Sequence, residues 1–220
     1  MAQKAGAHVI IGIGGTKGGT GKSTVATNLA VSLAAAGEDV LLVDADEQGS
    51  ATDFTNMRNQ SRENGAGYTC IALKGRAVIT EIRRLAPKYQ HVVIDVGAGD
   101  NASQRAALGV CDIVAVPMAP RSFDVWTLDK VAEMVEDARV TNPALKAFVF
   151  LNRADAIGAE NAAAGDIIRT QPALGFIDAA LGNRKSYAKA AAGGLAVSEL
   201  RPKDPKAAQE FADFMSALGF

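Results

Sequence analysis

Short, almost uninterrupted apolar runs alternate along this chain with longer stretches whose apolar positions recur at helical spacing. The runs cover residues 8–13, 40–43, 92–94, 111–116 and 147–151, and residues 68–73 have the same strand-like character. Each has the length of a strand, and the lack of polar alternation suits burial on both faces. Between them the spacing predicts helices over 22–36, about 52–62, 76–86, about 123–138 and 158–169. A closing amphipathic helix over 206–218 places Ala207, Ala208, Phe211, Phe214, Met215 and Leu218 on one face. Gly37 and Pro87 end two of the helices. Such alternation implies an α/β fold with a mostly parallel central sheet, flanked by helices on both faces. The 220 residues, with 48% hydrophobic and 21% charged content, fit one domain over residues 1–220.

The connection from the first strand to the first helix reads Gly12-Ile13-Gly14-Gly15-Thr16-Lys17-Gly18-Gly19-Thr20-Gly21-Lys22-Ser23-Thr24. Strand, glycine loop and helix are the context that a phosphate-binding loop requires. The glycines let successive N–H groups and the positive end of the helix converge on a nucleotide phosphate. Lys22 is placed to reach the β- and γ-phosphates, and the Ser23 hydroxyl to bind magnesium. Lys17, five residues ahead of Lys22, is the more specific signal. Residues 17–24 resemble the deviant Walker A motif of the ParA/MinD family of P-loop NTPases, in which the early lysine crosses a dimer interface to the partner's nucleotide. The resemblance implies ATP bound by Gly18, Gly19, Thr20, Gly21, Lys22, Ser23 and Thr24.

In open parallel sheets ligands bind beyond the carboxyl ends of the strands, and polar residues gather there in this sequence. Asp44 and Asp46 follow one strand, Asp95 ends another, and Asn152 follows a third. Residues 40–51 resemble the switch I segment of ParA proteins, with Glu47 in place of the family's usual proline. By that resemblance Asp46 orients the attacking water, joining Lys17 and Lys22 as a catalytic residue, and Asp44 holds the lysine and magnesium environment. Residues 92–99 resemble the Walker B strand and switch II, so that Mg2+ is assigned to Ser23, Asp44 and Asp95. Gly97 and Gly99 are expected to let that loop move. Asn152 corresponds to the family's adenine-contacting asparagine, and residues 117–126 to a stretch near the dimer interface.

Two cysteines, Cys70 and Cys111, are expected as free buried thiols. Nothing in the sequence resembles a leader or a membrane span, so a soluble, cytoplasmic protein is expected. The net charge of −1 hides an uneven distribution. Between residues 183 and 206 the basic residues Arg184, Lys185, Lys189, Arg201, Lys203 and Lys206 outnumber Glu199 and Asp204. A second basic run, Lys74, Arg76, Arg83, Arg84 and Lys88, falls near a predicted helix. A solvated face and a nucleic-acid surface share this composition. Family resemblance favours nonspecific DNA binding by an ATP-bound homodimer, hence nucleoid association, with a ParB-like partner that stimulates hydrolysis and a plasmid or chromosome as cargo. The alternative is a MinD-like ATPase acting on a membrane or protein assembly. That reading needs a basic amphipathic tail, whereas residues 206–220 hold one lysine against Glu210 and Asp213.

Overall fold

The computed structural model describes residues 8–99, 101–120, 125–155 and 159–220. Its strands are β1 (Val9–Ile13), β2 (Val40–Asp44), β3 (Thr69–Ala72), β4 (His91–Asp95), β5 (Ile113–Met118), β6 (Lys146–Ala154) and β7 (Gly175–Gly182). They form one sheet in the order β3-β2-β4-β1-β5-β6-β7, with every pairing parallel. The helices are α1 (Lys22–Ala35), α2 (Ser50–Ser61), α3 (Ala77–Leu85), α4 (Ala102–Leu108), α5 (Val125–Thr141), α6 (Ala159–Arg169), α7 (Lys185–Ala192) and α8 (Pro205–Leu218). Parallel neighbours can be joined only by crossovers, and the helices supply them. The chain winds outward from β1 to β2 and β3, returns as β4, and then builds the other half through β5, β6 and β7. The reversal around β1 opens a crevice at the carboxyl ends of the central strands.

Alternation within the apolar runs sorts their side chains between two cores. Ile11, Ile13, Val40, Leu42, Val93 and Phe150 face the layer of α1 and α8, where they meet Leu29, Phe211 and Phe214. Leu41, Val43, Val92, Ile94, Val149 and Leu151 face the opposite layer, where α3 to α6 contribute Ile82, Leu108, Val135 and Ile168. Helix α1 is buried on most of its circumference, including Thr27 and Asn28, because it packs on β1, β2 and β4 and against α2, and Asn28 accepts from the Val197 N–H at 2.8 Å. The predicted apolar face of α8 is used within the core, with Phe214 stacked at 4.4 Å on Phe150. Among the described residues no helix is long and apolar enough to cross a membrane.

Three elements escape the sequence pattern. Strand β7 lies at a sheet edge, so only Ile177 and Leu181 are buried, and Asp178 and the flanking glycines disguise it. Helix α4 has seven residues behind a glycine-rich loop, and α7 is mostly alanine and lysine without a broad apolar face. Cys70 is partly buried in β3 and Cys111 is buried just before β5, and both thiols are free.

Candidate functional site

The loop between β1 and α1 delivers its groups by backbone geometry. Gly21 caps α1 in the left-handed region, at φ 93°, without a side-chain hydrogen bond to the helix N–H groups. A β-carbon at Gly21 would lie 2.4 Å from the Asn152 amide nitrogen, so the close approach also demands glycine. That nitrogen donates to the Thr20 carbonyl at 2.6 Å. Asn152, expected as an adenine contact, therefore first serves as a brace behind the loop. Lys22 is buried, and its Nζ donates to the Lys17 carbonyl at 3.3 Å. Burial lowers the Lys22 pKa, while the charges of Asp95 and Asp46 oppose that shift. Lys17 is exposed, and no hydrogen bond or ion pair engages its ammonium among the described residues.

Parallel register sets the carboxylates beside this loop. Ile13, the last residue of β1, pairs with Asp95, and Asp95 pairs with Asp44, so three strand tips end level. Asp95 is fully buried, and neither carboxylate oxygen has a hydrogen-bond partner. Burial pushes its pKa up to about 7; the nearby Ser23 hydroxyl and Lys22 favour the anion, and Asp44 and Asp46 disfavour it. Two unpartnered buried oxygens are costly unless something meets them. Beside a phosphate loop and the Ser23 hydroxyl they fit Mg2+, which takes one or two protein oxygens and completes its shell with phosphate and water. No group of three or more His, Cys, Asp or Glu side chains able to hold a metal occurs among the described residues. When bound, the metal supplies charge neutralisation at the phosphates.

Asp44, assigned to magnesium by the resemblance, is hydrogen-bonded through both carboxylate oxygens. Its Oδ2 accepts from the Thr52 N–H at 2.8 Å and the Thr52 hydroxyl at 2.7 Å, and its Oδ1 accepts from the Asp46 N–H at 3.2 Å. With both oxygens engaged, Asp44 pins the start of α2 to the end of β2. Asp46 stands over the cleft, its Oδ1 held by the Gln48 N–H at 3.1 Å. A β-carbon at Gly97 would lie 3.4 Å from the Asp46 Cα, an ordinary van der Waals contact, so the two loops run side by side there. Gly99, at φ 85°, supplies the left-handed turn. A polar cleft of ≈ 470 Å³ lies among these groups, lined by Lys22, Ser23, Asp46 and Asn101.

A model of the CobQ/CobB/MinD/ParA nucleotide binding domain matches residues 11–197, which include the loop, both strand-end aspartates and Asn152. The chain belongs to this family. Over 209 residues it is 28% identical to the maintenance of carboxysome distribution protein A of Halothiobacillus neapolitanus, covering 94% of this chain and 95% of that one. An ATP complex of McdA from Cyanothece has the same fold, with a TM-score of 0.79 and 16% identity over 98% of each chain. A plasmid partition protein of Borrelia burgdorferi bound to AMPPNP matches at a TM-score of 0.76 and 20% identity, over 96% of this chain and 98% of that one.

The structure adds residues to the site that spacing alone does not announce. Thr52 acts eight positions from Asp44 through the start of a helix. Gln104, buried on α4, donates to the Gly15 carbonyl of the phosphate loop at 3.3 Å and so ties the helix after the switch II loop to it. Asn101 did carry a sequence signal, an Asn three positions before Gln104, whose backbone N–H its side chain caps at 2.8 Å. The basic segment is split by the structure. Arg184 is engaged by Glu210 of α8, and Arg201 donates to the Leu200 carbonyl at 2.9 Å. Lys185, Lys189, Lys203 and Lys206 are exposed. Of the stretch expected near a dimer interface, residues 121–124 lie outside the described residues, and Trp126 beyond them is 76% exposed.

Proposed function

We propose that this chain is an ATP-hydrolysing molecular switch that dimerises around two ATP molecules and positions a cargo in the cell. The observation that carries the reading is the pair of buried, unpartnered Asp95 oxygens set level with the phosphate loop and faced by Ser23 and Lys22. Magnesium held by Ser23 and Asp95 would place a triphosphate between Lys22 and Asp46. Asp46 then orients water, because phosphoryl transfer depends on positioning and charge stabilisation rather than on covalent chemistry. An exposed Lys17 ammonium without a partner among the described residues supports a contact made only in the dimer.

The relatives' names give two kinds of cargo, a carboxysome and a plasmid, and the same switch chemistry serves either. In our reading the ATP-bound dimer holds nonspecific DNA through exposed lysines, which places it on the nucleoid. A ParB-like protein on the cargo stimulates hydrolysis and releases it. Core packing of α8 disfavours the membrane-bound alternative. The test is sedimentation of the protein with ATP and magnesium, beside Lys17→Ala. The wild type should dimerise only with ATP, and Lys17→Ala should bind ATP yet stay monomeric. An ATP-dependent dimer of the variant, with unchanged turnover, would refute the role of Lys17.

A further inference from the structure

Arg153 follows Asn152 on β6, and at φ 56° it is the one non-glycine residue with positive φ among the described residues. Side chains are strained in that region, and glycine would sit there more easily. Its guanidinium is exposed and joins no hydrogen bond or ion pair among the described residues. It lines both cavities that flank the tip of the phosphate loop. One is the cleft shared with Lys22, Ser23 and Asp46. The other is a smaller cavity between the loop and β5, shared with Lys17, Pro117 and Met118. The preceding residue fixes this placement, since Asn152 is bonded to Thr20 of the loop. Strain, a charge without a partner and a position at the mouth of the phosphate cradle are independent observations, and strain held at a ligand site is a recurrent functional device.

We propose that Arg153 contacts the bound nucleotide, closing over it from the β6 side, and that the left-handed backbone is retained because it aims the guanidinium there. The inference rests on the nucleotide-binding reading above. A planar guanidinium recognises a nucleotide by paired N–H bonds to phosphate or by stacking on the base, and both belong to the same ligand.

The test is calorimetric titration of wild type, Arg153→Gly and Arg153→Ala with ATP, ADP and inorganic tripolyphosphate, each with magnesium. Glycine suits the backbone, so Arg153→Gly should keep or raise the melting temperature while weakening ATP binding by roughly tenfold, the usual worth of a charge-assisted hydrogen bond. That opposition of stability and affinity is not expected of a residue with a merely structural role. Parallel weakening of tripolyphosphate assigns the contact to phosphate, and weakening of ATP and ADP alone assigns it to the base. Arg153→Gly binding all three ligands like wild type would overturn the inference alone. Wild type that bound no ATP would overturn the nucleotide reading and this inference with it.

Discussion

Arg58 and Glu199, 141 positions apart, meet through paired bonds of 2.7 and 3.0 Å that join α2 to the turn ahead of α8. Arg58 also donates to the carbonyls of Ala66 and Gly194, at 2.8 and 3.0 Å. Helix α2 is thus held at both ends, by Asp44 through Thr52 at the nucleotide side and by Glu199 at the other. The pair is mostly shielded, with Arg58 only 7% exposed, so its loss leaves the Ala66 and Gly194 carbonyls without this donor and Glu199 with only Arg62 and the Ala196 N–H. Arg58→Ala should lower unfolding free energy by about 3 kcal/mol in urea titration. A loss under about 1 kcal/mol would place the pair among weak surface bridges.

Acid should weaken the fold through the same group. Burial opposes ionisation of Glu199, but the hydrogen bonds from Arg58 and Ala196 and the charges of Arg58 and Arg62 outweigh it and hold the carboxyl below its usual 4.5. The Arg184 hydrogen bond likewise lowers Glu210 against burial. Groups with depressed folded-state pKa values contribute stability above the unfolded pKa and lose it as pH falls through the folded one. Melting temperature should therefore decline below about pH 4.5, and Glu199→Gln should show a shallower decline from a lower plateau. Identical acid profiles for the two proteins would exclude Glu199 as a source.

Asp95 acts with the opposite sign. Its folded pKa, raised from 3.8 to about 7, means that ligand-free stability falls as pH rises between those values. Asp95→Asn removes the buried charge, so without nucleotide it should melt higher at pH 8, by about 2 °C or more. Its magnesium-dependent ATP hydrolysis should be lost. Thermal melts with phosphate-release assays check both halves, and a less stable, fully active variant would contradict them.

Asp46→Ala should lower ATP turnover by about 100-fold or more and leave ATP affinity nearly unchanged, because the phosphate loop is untouched. Its neighbour supplies a control. Gly97→Ala sets a β-carbon in ordinary van der Waals contact with the Asp46 backbone and should leave turnover near that of the wild type. Normal hydrolysis by Asp46→Ala, measured under saturating ATP, removes this residue from the reaction.

For DNA, the structure separates lysines available for phosphate contact from an arginine already paired. Lys185→Ala and Lys189→Ala should each reduce the slope of log affinity against log salt by roughly one unit, for any duplex sequence. Arg184→Ala should instead release Glu210 and loosen the docking of α8, lowering melting temperature more than DNA affinity. Gel shifts at several salt concentrations, run with ATP, test the assignment. Lysine variants that match wild type would move the DNA surface elsewhere.

Residues whose chemistry depends on position along a strand were legible in the sequence. Asp95 ends an unbroken apolar run, and the phosphate loop carries its own spacing. What the sequence concealed depends on contacts between distant segments. Nothing local announces Thr52 as the partner of the Asp44 side chain. Nor does the basic run announce Glu210, which engages Arg184 from a helix 26 positions away. Edge strand β7 gave no clear pattern, since burial on little of its surface leaves the choice of side chain nearly free.

The level ending of β1, β2 and β4 makes the distance from phosphate loop to Asp95 a property of backbone ladders rather than of loops. One residue inserted or deleted within β4 would move Asp95 by about 3.3 Å and turn its side chain to the other face of the sheet. An insertion between Gly97 and Gly99 would leave that alignment intact. Tolerance to change in length should therefore rise sharply at the strand ends, so that the two switch loops can diverge between relatives, or move within one molecule, while the fixed groups keep their places.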